Sequence, residues 1–181
     1  MRIIAGALKG RTWTLPKGLD LRPTTDRAKE SLFNVLQAQV DWPLATCLDA
    51  FSGTGSIGFE MLSRGAKEVH FLDKNPKSIQ HIQKQLAAWK MENAQAVQGD
   101  VFEFAHRQKK PYDLVFLDPP YTLSEALELP ERFIQNGLLK PEGVLVLEHG
   151  PDWATQTPSI AGWQSTKKYG HVHFSYFRVE N

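Results

Sequence analysis

Short apolar runs recur along the chain, each closed by Asp, Gly or Pro and followed by a stretch of helical period. The runs at 46–50, 68–73, 94–97, 112–117 and 144–148 are too short for buried helices and are predicted as strands. Helices are predicted between them at 56–64, at 101–108, at 124–135, and from Asn75-Pro76 onward. In the last of these Ile79, Ile82, Leu86 and Trp89 mark the buried side, and Pro stands early, where its missing N–H is harmless. One helix precedes the first strand. Thr24 or Thr25 is its N-cap, Asp26 lies in its first turn, and Ala28, Leu32, Val35, Leu36 and Gln39 hold a 3.6-residue period to about Val40. Strand–helix alternation of this kind requires right-handed crossovers, hence an α/β, doubly wound, mainly parallel sheet covered on both faces.

Both ends of the chain break the alternation. Residues 2–6 and 11–15 read as two short strands around a turn at 7–10, and 16–23 as a loop. Residues 163–169 and 171–179 are strand-like and separated by Gly170 alone, which permits a hairpin but no parallel crossover, so at least one pair is antiparallel. The expected organisation is a small β-hairpin extension over residues 1–22 followed by one domain over 23–181.

Composition adds constraints. The chain has 181 residues, 41% apolar and 23% charged, enough for one full core. Its single cysteine, Cys47, excludes an internal disulfide framework; set in an apolar strand, it reads as a buried structural thiol. No stretch approaches transmembrane length and none resembles a signal peptide, so a cytoplasmic protein without a membrane partner is expected. The six histidines lack metal-ligand spacing; His171 and His173 fall on one face of a predicted strand, and no metal is expected. Net charge is +1 overall, but residues 1–29 hold seven basic and two acidic side chains, and the remainder 14 and 18. A basic arm on a mildly acidic body suits a polyanion, and Arg2, Lys9, Arg11 and Arg22 are its candidate contacts.

Chemistry concentrates at the predicted carboxyl ends of the strands. The loop Gly53-x-Gly55-x-x-Gly58 has dinucleotide-fingerprint spacing, with Asp73 twenty residues after Gly53. Spacing alone favours a nucleoside-containing cofactor without separating NAD from S-adenosylmethionine. Asp49, in the strand before the loop, suits an ammonium group better than a pyrophosphate. Asp73 is placed to accept from ribose hydroxyls and Asp100 from an adenine amino group, with Val101 and Phe102 beside the ring. Each acid taken singly is as well explained as a helix cap or turn former; three at successive strand tips are not.

The fourth strand ends in Asp118-Pro119-Pro120-Tyr121. Two prolines cannot donate to a ladder, so the strand stops and leaves a carboxylate, carbonyls and an aromatic ring at its tip. A planar exocyclic amine is a poor nucleophile because its lone pair is delocalised. Hydrogen bonds to Asp118 and the Pro119 carbonyl favour a pyramidal nitrogen and stabilise the charge that grows on it, while Tyr121 stacks on the base. Glu148, at the tip of the fifth strand, either lines this cleft or caps a loop.

The segments Asp49-Ala50-Phe51-Ser52-Gly53-Thr54-Gly55, Asp73, Asp100 and Asp118-Pro119-Pro120-Tyr121 together resemble the motifs of class I S-adenosylmethionine-dependent amino-methyltransferases. That resemblance implies a Rossmann-like sheet of seven strands with an antiparallel last strand. Arg2-Ile3-Ile4-Ala5-Gly6, Gly10-Arg11, the stretch from Leu21 through Arg22-Pro23-Thr24-Thr25-Asp26 to Arg27, and Glu30-Ser31-Leu32-Phe33 resemble the RsmD group, bacterial methyltransferases of guanine N2 in small-subunit (16S) ribosomal RNA. It covers essentially the whole chain. Some members have Phe where Tyr121 stands, which keeps the stacking face. The resemblance implies S-adenosyl-L-methionine as cofactor, ribosomal RNA in the 30S subunit or its assembly intermediate as partner, and a cofactor set of Asp49, Phe51, Gly53, Gly55, Asp73, Asn75, Asp100 and Val101. It adds Thr25 and Arg27 as closing that pocket. By residues alone, methylation of adenine N6 or of a protein glutamine, a non-catalytic RNA-binding assembly factor and an NAD-dependent dehydrogenase stay open.

Overall fold

The structure is a computed structural model that describes residues 1–14 and 24–179. In chain order its elements are α1 (Asp26–Leu36), β1 (Thr46–Ala50), α2 (Ser56–Ser63), β2 (Glu68–Asp73), α3 (Pro76–Trp89), β3 (Ala94–Gln98) and α4 (Val101–Arg107), followed by β4 (Tyr112–Leu117), α5 (Leu129–Gln135), β5 (Leu139–His149), β6 (Trp163–Tyr169) and β7 (Val172–Phe177). Among the described residues these strands form one seven-stranded sheet in the order β3-β2-β1-β4-β5-β7-β6. All pairs are parallel except β5 with β7 and β6 with β7, so the last strand runs against the rest.

The near-continuous apolar runs of the central strands follow from burial on both sheet faces. In β4, Leu114 and Phe116 join one core with Leu32, Phe33, Phe59, Phe71 and Ile82, while Val115 and Leu117 join the other with Val101, Leu129, Phe133 and Leu145. Strand order reverses between β1 and β4. In an open parallel sheet that switch point is where ligands bind, and it brings the ends of Asp49's and Asp118's strands side by side.

Several sequence expectations are corrected. The first helix stops at Leu36, not near Val40, and its buried stripe includes Lys29 and Phe33 while Gln39 is exposed. The stretch 124–135 splits into a 3-10 turn (Ser124–Glu128) and α5, because Pro130 sits where a continuous helix needs an N–H. The fifth strand begins earlier, at Leu139. A register shift between Tyr112/Leu139 and Leu114/Val144 absorbs the expected turn, and Glu142 takes φ +62° there. His171 lies in the turn before β7, not on the strand.

The two N-terminal strands shrink to a single bridge, Arg2 to Thr12, flanked by bonds from Ile3 N–H to Arg11 O and from Trp13 N–H to Met1 O. The reason is competition. The N–H groups of Ile4 and Ala5 donate to the Glu60 carboxylate at 2.7 and 3.0 Å, so they are not available for cross-strand pairing. Residues 1–14 nonetheless join the main core through Ile3, Leu8 and Trp13. The expected loop at 16–23, together with Leu15 and Arg22, lies outside the described residues. No helix among the described residues is long and apolar enough to cross a membrane.

Candidate active site

β1 delivers Asp49 to the sheet edge and then turns sharply through Phe51 (φ +61°), Gly53 (φ +50°) and Gly55 (φ +74°). Gly55 is the N-cap of α2 and needs the left-handed region that glycine adopts freely. Gly58 answers to packing: a Cβ there would fall 2.2 Å from the Phe71 ring, so only glycine lets α2 lie this close to β2. Asp49 is buried and accepts from Gly58 N–H at 2.8 Å. Burial holds its carboxyl well above the usual range. The Gly58 bond opposes that shift, and the charges of Asp73 and Glu148 add to it.

Asp73 accepts from Gly53 N–H at 2.7 Å and from Asn75 N–H at 2.8 Å, so it ties the glycine loop to the start of α3. The Asn75 side chain caps α3 through Lys77 N–H. Asp100 caps α4 with one oxygen, which accepts from Phe102 and Glu103 N–H; the other oxygen makes no hydrogen bond among the described residues. Val101 is buried next to it, and Phe51 and Phe102 are half-buried. All three acids therefore carry structural duties at their strand tips.

Asp118 N–H donates to Ala50 O at 3.3 Å, a link between the chain at the end of β4 and that of β1. Beyond it, neither the Asp118 carboxylate nor the Pro119 carbonyl accepts a hydrogen bond among the described residues. Burial raises the Asp118 carboxyl well above its ordinary range, and the charges of Glu148 and Asp49 raise it further. Tyr121 is 42% exposed, with its hydroxyl donating to Glu148 Oε1 at 3.1 Å. A side chain on Gly150 would meet the Tyr121 ring at 3.0 Å, so the end of β5 fixes that ring by contact as well as by hydrogen bond.

Glu148 caps no loop backbone; it joins side chains of the tetrapeptide and of the segment before α1. It is only 4% exposed, and its second oxygen accepts from the Thr24 hydroxyl at 3.0 Å. Burial pushes its carboxyl up to about 7, against the pull of the Thr24 and Tyr121 bonds. Thr25 caps α1 and, with Thr24, Ser56 and residues of the arm, borders a hollow of about 480 Å³; Arg27 is exposed and does not line it.

The arm residues have unequal fates. Lys9 is exposed at the turn and Arg11 lies over the Trp89 ring at 5.7 Å. Arg2 is paired with Asp26 at 2.6 Å. Lys29, counted above among the arm's charges, is 1% exposed and donates to Arg2 O and Ser56 Oγ, with Glu60 4.0 Å away. Burial lowers its ammonium group's pKa, opposed chiefly by Glu60. Sequence reasoning missed this pair. The available signals were a lone carboxylate in the otherwise apolar run Ser56–Ser63 and a lysine on the buried side of α1, three residues before Leu32. Among the described residues, no group of three or more His, Cys, Asp or Glu side chains is placed to hold a metal.

The open sheet with its inserted antiparallel strand β7 and ligand edge at the β1/β4 switch is the Rossmann-like architecture of the methyltransferases, and the protein is a methyltransferase. The chain belongs to the family described as Conserved hypothetical protein 95, whose model matches residues 1–178. The ribosomal RNA small subunit methyltransferase D of Haemophilus influenzae is 38% identical over 182 residues, covering 98% of this chain and 93% of that protein. The protein of the same name from Escherichia coli K12 is 34% identical, covering 93% and 89%. Among solved structures, the putative methyltransferase yhhF from Escherichia coli superposes with a TM-score of 0.85 at 34% identity, covering 100% of this chain and 99% of that one.

Proposed function

We propose that the protein transfers a methyl group from S-adenosylmethionine to the exocyclic N2 amine of a guanosine in 16S ribosomal RNA. One observation carries this reading: two adjacent acceptors, the Asp118 carboxylate and the Pro119 carbonyl, stand open at the ligand edge of the sheet beside an exposed aromatic face. Two N–H groups of one amine match two such acceptors. The names of the relatives support ribosomal RNA as the source of that amine.

The site's residues fit the donor, which supplies an electrophilic methyl group and carries an ammonium group. Burial raises the Asp49 carboxyl well above the usual range, and a cation beside it favours the ionised form. The positive-φ turn at Gly53 and Gly55 lets the backbone approach a ligand, and Asp73 holds that turn in place. Asp100 keeps one oxygen for an adenine amino group, with Phe51, Asn75 and Val101 around it and Thr25 and Arg27 on the arm side.

Asp118 and the Pro119 carbonyl accept from the target amine, localise its lone pair and stabilise the charge that grows there. Tyr121, with Pro120 setting the turn before it, stacks on the guanine. The methylated nitrogen is strongly acidic and loses its proton to water or to Asp118. Arg2, Lys9 and Arg11, with Arg22 outside the described residues, contact RNA phosphates from the extension 1–22, ahead of a methyltransferase domain at 23–181. The setting is the cytoplasmic 30S particle, assembled or assembling.

Asp118→Ala is expected to abolish tritiated-methyl transfer to undermodified 30S particles while S-adenosylhomocysteine binds within a few-fold of wild type by calorimetry. Retained transfer would overturn the mechanism. Mass-spectrometric mapping of 16S RNA with and without the protein identifies the methylated nucleoside, and a product other than N2-methylguanosine overturns the assignment of the amine.

A further inference from the structure

α3 differs from the other helices in the balance of its charge. Lys74, Lys77, Lys84 and Lys90 fall between positions 74 and 90 with no Asp or Glu among them. Elsewhere three arginines in or next to helices pair with acids four residues away: Arg64 with Glu60, Arg107 with Glu103, and Arg132 with Glu128. The side chains of Lys77 and Lys84 are exposed and have no ion-pair or hydrogen-bond partner among the described residues. Both stand on one side of the helix, seven residues or about 10 Å apart along its axis.

That side is not a plain solvated face. Lys77, Gln80, His81, Lys84 and Gln85 line a hollow of about 520 Å³, closed opposite by Trp13 and Thr14 of the arm. His81 Nε2 is shut off from solvent there with no hydrogen-bond partner. Burial and the neighbouring Lys84 lower the pKa of its ring. Trp13 donates its indole N–H to Thr54 O in the glycine loop and packs edge-on against Trp89, over which Arg11 lies. The hollow therefore connects the ligand edge at the start of α3 with the arm's exposed cation.

We propose that the hollow between α3 and residues 13–14 is a backbone track for the substrate RNA, with Lys77, Lys84 and Arg11 contacting phosphates and Gln80 and Gln85 hydrogen-bonding ribose hydroxyls. This rests on the ribosomal RNA reading. A row of unpaired cations answers a row of anions, and the neutral donor–acceptor side chains between them suit the 2′-hydroxyl, itself both donor and acceptor. An acidic protein partner would match the charge but carries no hydroxyl at each backbone repeat for Gln80 and Gln85.

The test uses the intact chain with Lys77→Ala/Lys84→Ala and, separately, Gln80→Ala. Binding to 30S particles is measured across salt concentrations, and methyl transfer is followed in parallel. Loss of two phosphate contacts is expected to weaken binding about tenfold and to lower the slope of log affinity against log salt by about 2. S-adenosylhomocysteine binding and kcat at saturating particles stay unchanged. Gln80→Ala is expected to weaken binding a few-fold with no change of slope. Wild-type affinity and slope in the lysine variant overturn the track, and so does weaker binding with an unchanged slope, which is the signature of a protein contact. A wild-type protein that binds particles but transfers no methyl group would sink the enzymatic assignment and leave the track standing.

Discussion

Tyr121 and Glu148, 27 residues apart, are joined by a 3.1 Å hydrogen bond across the ends of β4 and β5. The same glutamate accepts from Thr24, so one buried carboxylate ties the proposed base-stacking ring to the segment that opens α1. The ring's position is therefore set by three separate stretches of chain.

The two parts of that contact separate by mutation. Tyr121→Phe keeps the ring and its seat against Gly150, and is expected to retain transfer within about fivefold. Tyr121→Ala removes the stacking face, worth about 1–3 kcal/mol per base, and is expected to lower kcat/KM by 10- to 100-fold. Single-turnover methyl transfer on 30S particles distinguishes the two; equal losses would show that the hydroxyl, not the ring, matters.

Glu148 makes the folded protein less stable as pH rises from about 4.5 towards 7. Its carboxyl titrates near 7 when folded and near 4.5 in the ordinary state, so between those values the folded chain holds a proton that the unfolded chain has lost. Stability from this group is present below about pH 4.5 and is lost as pH rises towards 7. Glu148→Gln, which cannot ionise, is expected to raise Tm by roughly 5 °C at pH 8 and to leave it within a degree or two of wild type at pH 5. Scanning calorimetry at both pH values checks this, and a stabilisation equal at both would remove the titration as its cause.

Glu60 holds the arm. It is fully buried, satisfies the N–H groups of Ile4 and Ala5, and faces Lys29 and Arg64. Glu60→Ala leaves a buried ammonium and two amides without this partner and is expected to lower stability by about 3–5 kcal/mol in urea titration. Protection of the Ile4 and Ala5 amides from hydrogen exchange is expected to fall with it. A loss under 1 kcal/mol would mean that the arm is held by its apolar contacts alone.

Asp49 is expected to act on the donor rather than on the acceptor. Asp49→Asn keeps the volume and an oxygen for Gly58 N–H but cannot ionise beside an ammonium group. Calorimetry is expected to show S-adenosylhomocysteine binding weakened by at least tenfold with 30S affinity unchanged. Unchanged cofactor binding would move the ammonium contact elsewhere.

Much of this was legible in the chain itself. The runs 46–50, 68–73 and 112–117 have the bounds of β1, β2 and β4, because each carries apolar positions for the sheet core and is followed within a few residues by Gly or Pro. The acids at the strand tips and the Asp118–Tyr121 stretch were visible for the same local reason. Helix ends were less legible: Leu36 and Leu129 bound their helices through contacts and a proline, not through periodicity. The arm's two strands failed as a prediction because the partner of Ile4 and Ala5 is a side chain 55 residues or more away.

The sequence by itself determined the order of elements, the parallel sheet and the residues at its carboxyl edge, since these depend on period 2, period 3.6 and the backbone limits of Gly and Pro. Only the tertiary structure decided which charges are available. Lys29 counts among the arm's charges in the sequence and Glu148 has two possible roles there, yet one is buried against Glu60 and the other between Thr24 and Tyr121. Lys77 and Lys84, ordinary in sequence, have side chains without partners among the described residues, beside a hollow. Burial and partnership are properties of distant segments brought together, and they fix both the protonation of an acid and the reach of a cation.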